Sequence, residues 1–152
     1  MVKHAYRKRR RPPFFRPVPT RSRRDGWTET RQCLFLAELY LTGTVSTAAR
    51  RVGMSRMSAY RLRERPDAVS FARAWDYVLS PPGSGRMPGE NTDWRKVTQN
   101  ALIERVEAGF VQPVIYRGKI TAIRRKHDVS ALLRLVRRAN PCASKLEEGG
   151  AQ

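Results

Sequence analysis

Apolar positions along the chain change period several times, and each change predicts an element. From Trp27 to Thr42, Leu34, Phe35, Leu39 and Leu41 or Thr42 recur at helical spacing, with Thr28 as N-cap and Gly43 as stop. Ser46 caps a short helix, Thr47 to Val52, that Gly53 breaks. Ser55 caps a third helix from Arg56 to about Glu64, which Pro66 ends by disfavouring the helical conformation of the residue before it. Val69 or Ser70, Phe71, Ala74, Trp75 and Val78 then mark a fourth helix, with Phe71 and Trp75 as core residues. Thr92 or Asp93 caps a fifth, running to about Ala108 with Trp94, Val97, Ala101, Leu102 and Val106 on one face. The period then falls to two. Val111–Tyr116 and Lys119–Ile123 flank Arg117-Gly118, which predicts a β-hairpin pairing Ile115 with Ile120 and Tyr116 with Lys119. Pro113 restricts its strand to a free edge. Asp128 caps a last helix whose apolar stripe is Val129, Leu132, Leu133 and Val136, with Arg134, Arg137 and Arg138 largely away from it.

These elements make the chain mainly α. The organisation is an N-terminal arm (1–25), a helical domain (26–79), a Pro/Gly-rich linker (80–93), an accessory helix–hairpin–helix region (94–140) and a flexible tail (141–152). The glycines near Ser84 lack the preceding strand and the Lys-Ser/Thr ending of a phosphate-binding loop, so the segment reads as linker.

Charge changes the picture. The chain carries 31 Lys+Arg against 13 Asp+Glu, a formal net charge of +18, which costs self-repulsion unless a polyanion offsets it. Residues 1–24 hold ten bases and no acid, and four prolines (Pro12, Pro13, Pro17, Pro19) forbid a regular helix there. The segment reads as a disordered, phosphate-seeking arm.

The pair of short helices around Gly53 fits a helix-turn-helix. Ala49 lets the helices approach, Gly53 can take the positive φ of the turn, and Ala59 and Leu62 face the core with Ala48, Val52 and Met54. Ser55, Arg56, Met57, Tyr60 and Arg61 then point outward, a chemistry suited to a major groove, with Arg50 and Arg51 beside them. Tyr60 has two readings, on the DNA backbone or packed on its own domain. The stretch from Thr42 to Arg63, with its Ala-Ala-Arg-Arg-Val-Gly-Met-Ser core, resembles the homeodomain-like DNA-binding domain of phage terminase small subunits and related short bacterial helix-turn-helix proteins. Pro66–Leu79 resembles the acidic-start helix that follows in that family. The resemblance covers about residues 27–79. It implies a homeodomain-like fold and double-stranded DNA as partner, read by residues 56–64, and leaves packaging and transcription regulation both open. The packaging reading also implies a terminase large subunit as partner.

The hairpin and last helix are basic too. Arg117 and Lys119 at the tip, with Arg124 and Arg125 at the base, read either as a wing on DNA or as a solvated rim. A third reading is homo-oligomerisation, because terminase small subunits typically follow their DNA-binding domain with helical and hairpin assembly elements. No metal-ligating or catalytic cluster stands out, and Cys33, Cys142, His4 and His127 give no zinc spacing. We expect no catalytic residues, no cofactor, no membrane span and a cytoplasmic location. The alternatives are a basic RNA-binding or ribosome-associated protein, which lacks the usual aromatic stacking pairs, and a module meeting an acidic protein.

Overall fold

A computed structural model describes residues 9–21, 23–87 and 92–140. Among them the protein is mainly α, with six helices and one two-stranded antiparallel hairpin. Helix α1 (Glu29–Thr42) starts where Thr28 Oγ1 accepts from the Arg31 N–H at 3.2 Å. It ends at Gly43, whose φ of +75° places it in the left-handed region that glycine tolerates. A side chain there would also collide with the Arg9 guanidinium. Helix α2 is Val45–Arg51 with Thr44 at its N-cap, so Ser46 lies inside the helix rather than capping it. Helix α3 (Arg56–Arg63) is capped by Ser55 as the sequence predicts, and α4 is Val69–Leu79. Helix α5 (Gln99–Ala108) is capped by Thr98, because Asp93 is engaged in a separate turn, accepting from the N–H groups of Arg95 and Lys96. Strands β1 (Phe110–Tyr116) and β2 (Lys119–Lys126) flank a two-residue turn, and α6 is Val129–Ala139 with Asp128 as N-cap.

The first surprise is how completely α1 is covered. Gln32, Cys33, Phe35, Leu36, Ala37, Leu39 and Tyr40 are all buried, which is wider than one amphipathic stripe. Leu34 and Leu41, expected on the apolar face, are only half-buried. The extra cover comes from the segment expected to be a disordered arm. Residues 9–21 instead run extended as a strap, with Pro12, Phe15, Pro17 and Val18 buried. Residues 1–8 lie outside the described residues.

The strap is held at every few residues. Arg9 donates to the carbonyls of Tyr40 (2.7 Å) and Leu41 (3.2 Å), satisfying the last carbonyls of α1 with a cation at its negative end. The Arg10 N–H bonds to Val78 O and the Arg16 N–H to Ser70 Oγ. Gln32, fully buried, acts as a surrogate strand partner: its Oε1 accepts from Val18 N–H at 2.8 Å, and its Nε2 donates to Val18 O and Trp27 O. Phe15 exchanges two backbone bonds with Val111 on β1, at 3.0 and 2.9 Å. The pairing stops there because prolines meet. Two residues further, an antiparallel register sets Pro13 against Pro113, and neither has an N–H to donate. Pro113 is therefore not on a free edge. It is buried on an edge that a proline-rich strap covers.

By compactness the chain divides into two units. The larger contains the strap, α1–α4 and most of the hairpin, so the hairpin joins the α1–α4 unit rather than an accessory region of residues 94–140. Residues 80–85, expected as linker, are gripped by Arg10, which donates to the carbonyls of Pro81 and Gly85 and lies over the Tyr77 ring. Residues 88–91 of that linker and the tail, 141–152, fall outside the described residues. The smaller unit holds α5 and α6. Its packed face of α6 is the reverse of the expected one. Ala131 is buried, Arg134 lies over the Trp94 ring at 4.2 Å, and Arg138 donates to the carbonyls of Val97 and Trp94, whereas Val129, Leu132, Leu133 and Val136 are exposed. No helix among the described residues is long and apolar enough to cross a membrane.

The strap generates a stability prediction. Phe15→Ala removes a fully buried ring and is expected to lower unfolding free energy by about 3–5 kcal/mol, measured by denaturant titration. A strap that only decorates the surface would change stability by less than about 0.5 kcal/mol. Gln32→Leu, which strands Val18 and Trp27 backbone groups in the interior, is expected to cost about 1–3 kcal/mol in the same assay.

Candidate nucleic-acid interface

Helices α2 and α3 are joined through Gly53, whose φ of +77° a residue with a Cβ adopts only under strain. Ala48, Ala49, Val52, Ala59 and Leu62 are buried at this junction, each from the small or aliphatic set that the spacing predicts. The Ser55 hydroxyl accepts from the Ser58 N–H at 3.1 Å, so its acceptor role belongs to the cap. At 100° per residue, Arg56, Met57, Tyr60 and Arg61 share the side of α3 opposite Ala59 and Leu62. Met57 is 62% exposed and both arginines are exposed.

Tyr60 is half-buried. Its ring packs on Trp75 with centroids 5.4 Å apart, and the Arg56 guanidinium lies over it at 5.7 Å. The core thus claims one face of Tyr60, and the ring in turn steers Arg56.

The bases of this motif divide by role. Arg51 pairs with Glu38 of α1 at 2.9 Å, Arg63 with Asp76 of α4 at 2.8 Å, and Arg65 with Asp67 at 2.7 Å. Those pairs brace the helices. Arg50, Arg56 and Arg61 stay exposed, and none of them forms an ion pair among the described residues.

Hairpin candidates divide in the same way. Arg125 forms an ion pair with Glu29 on α1, a contact that ties β2 to the helical core. Arg124 is exposed. Arg117 and Lys119 stand exposed at the tip, and Arg117 has a φ of +49°, with its guanidinium over the Tyr116 ring. A turn needing two left-handed residues is served with least strain by Asn-Gly, so an arginine there is an outlier that points to a use for its side chain.

One group of bases escaped the sequence reading as placed residues. Arg21, Arg23 and Arg24 are exposed beside a turn in which Gly26 N–H bonds to Arg23 O. The adjoining Trp27 donates from Nε1 to Ser58 Oγ on α3 at 3.2 Å, and Arg31 donates to Gly26 O. The turn is therefore anchored beside the N-terminal part of α3. The signal in the sequence was Phe15 and Val18 inside a Pro/Arg segment: two apolar residues that anchor the chain ahead of these bases.

Cys33 plays no part in this surface. Burial in the core pushes its thiol up to about 12, Glu29 adds to the rise, and Arg125 opposes it. The thiol's contribution to stability is whole below its unfolded value of 9.0 and is lost as pH rises toward 12, because the unfolded state ionises first. Cys33 is expected to react with a thiol reagent at neutral pH only at the rate of opening of the core. Fast labelling of native Cys33, mapped by peptide mass spectrometry, would contradict its placement. Among the described residues no three His, Cys, Asp or Glu side chains cluster as a metal site. Set against known protein families, curated proteins and solved structures, the chain matches none.

Proposed function

We propose that the protein is a non-enzymatic DNA-binding protein that lays α3 in the major groove of duplex DNA. The observation that carries this is the free outward face of α3. Arg56, Met57 and Arg61 are uncovered on a helix capped at Ser55 and paired to α2 across Gly53, while the neighbouring Arg51, Arg63 and Arg65 are occupied in ion pairs. Guanidinium forks and a soft apolar side chain suit guanine edges and a thymine methyl. A homeodomain-like fold for residues 26–79 is part of this proposal.

Arg21, Arg23 and Arg24 beside α3, and Arg117 and Lys119 at the hairpin tip, supply phosphate contacts in this reading. The strap's role changes accordingly. Only its outward bases serve affinity, because Arg9 and Arg10 are occupied in holding α1 and the loop at residues 80–85. Two biological roles fit: a phage-derived DNA-packaging protein resembling a terminase small subunit, with a large subunit as partner, or a small regulator. A closed ring in solution supports the first, and a monomer or dimer the second.

The test is binding to random duplex DNA over a salt series, followed by selection of preferred sites and competition with folded and single-stranded RNA. Arg56→Ala and Arg61→Ala are each expected to cost about 1–3 kcal/mol on a preferred site and to flatten preference. Replacing Arg21, Arg23 and Arg24 by Ala is expected to lower the slope of log affinity against log salt by about 0.9 per lost phosphate contact, with preference kept. Deleting the whole arm is not an equivalent test, since it removes Phe15 from the core. Arg117→Asn relieves the strained turn, so it is expected to raise stability by about 0.5–1 kcal/mol while weakening DNA binding. Unchanged affinity and preference in the α3 variants, or RNA that outcompetes duplex DNA, overturns the groove assignment.

A further inference from the structure

The smaller unit presents an apolar surface that its own helices do not use. On α6, Val129 is 58% exposed, Leu132 41%, Leu133 53% and Val136 53%. These four lie at i, i+3, i+4 and i+7, and so form one stripe. The opposite side of α6, with Ala131, Arg134 and Arg138, is the side packed within the unit, against Trp94 and Val97. Among the described residues of this unit only Leu102 and Ala131 are buried apolar side chains, too little for a pair of helices to sustain alone.

We propose that the stripe is a two-fold interface and that its occupant is α6 of a second copy of this chain, lying antiparallel. The sequence of the stripe argues for self-recognition. Read in either direction it is Val-x-x-Leu-Leu-x-x-Val. An antiparallel pair centred between Leu132 and Leu133 sets Val129 against the second copy's Val136 and Leu132 against its Leu133, which is the reciprocity a two-fold contact needs.

Charge selects the direction. Arg137 borders the stripe one turn beyond Leu133 and is exposed. A parallel pair would set Arg137 against its own copy. The antiparallel pair separates the two. An acidic partner protein would instead seek the arginines, and two of those, Arg134 and Arg138, are engaged with Trp94 and its neighbour Val97. Pairing two helical hairpins in this way gives a four-helix arrangement that buries the stripe.

The experiment needs no DNA, so its outcome is independent of the groove reading. The full chain is examined by sedimentation velocity at micromolar concentration and high salt, without nucleic acid. The expected result is a reversible dimer. Leu133→Arg is expected to raise the dissociation constant roughly a hundredfold or more, with unchanged circular dichroism because position 133 is half-exposed in one copy. Direction is read by disulfide capture. Chains carrying Val129→Cys mixed with chains carrying Val136→Cys are expected to cross-link faster than either alone. A monomeric wild type, an undiminished Leu133→Arg assembly, or faster capture of Val129→Cys with itself overturns the proposal.

Discussion

Phe35 is the residue on which the larger unit turns. Its ring meets Trp75 at 4.9 Å, Trp27 at 5.5 Å and Phe71 at 6.0 Å, and Phe15 of the strap closes on Phe71 at 5.9 Å. One cluster thereby joins the strap, the start of α1, α1 itself and α4. Each aromatic pair adds about 0.5–1.5 kcal/mol beyond the burial of its area. Geometry matters more here than the sum. Edge and tilted packings fix the angles between the elements, so the position of α3 is inherited from rings that never reach the surface.

The transmission to α3 is short. Trp75 supports Tyr60 on one side and receives the Arg63 guanidinium at 5.1 Å, and Arg63 is itself paired to Asp76 on α4. Trp27 holds Ser58 by a hydrogen bond, and Ser58 N–H is the group that Ser55 caps. Both ends of α3 are thus pinned before any ligand arrives. In the proposed reading this pre-organisation lets Arg56 and Arg61 meet a groove without a large ordering cost.

Arginine performs different jobs in this chain, and composition does not separate them. Arg9 closes a helix end, Arg10 clamps a loop over Tyr77, Arg51, Arg63 and Arg125 link elements, and Arg134 and Arg138 fold onto the turn at Trp94. The fork of donors that suits phosphate also suits backbone carbonyls and ring faces. Net charge therefore overstates the basic surface open to a polyanion. In the proposed reading the exposed bases that meet the polyanion are Arg50, Arg56, Arg61, Arg21, Arg23, Arg24, Arg117 and Lys119.

The sequence by itself determined what local chemistry determines. Thr28, Ser55 and Asp128 cap because a short oxygen at the right offset satisfies orphan N–H groups, and Gly43 and Gly53 stop helices because they alone accept the left-handed region cheaply. Period gave Phe71, Ala74, Trp75 and Val78 as the inner face of α4, and the Arg-Gly turn gave the hairpin register. Only the tertiary structure decided where long-range partners lie. That Phe15 and Val18 lock the strap down depends on Gln32 and Val111, fourteen and ninety-six positions away from them, and no local pattern encodes such pairings. For the same reason the stripe on α6 was visible but its direction was not. An amphipathic period says which residues share a face, while the choice of which face turns inward falls to the partners available, and there Trp94 took the arginines.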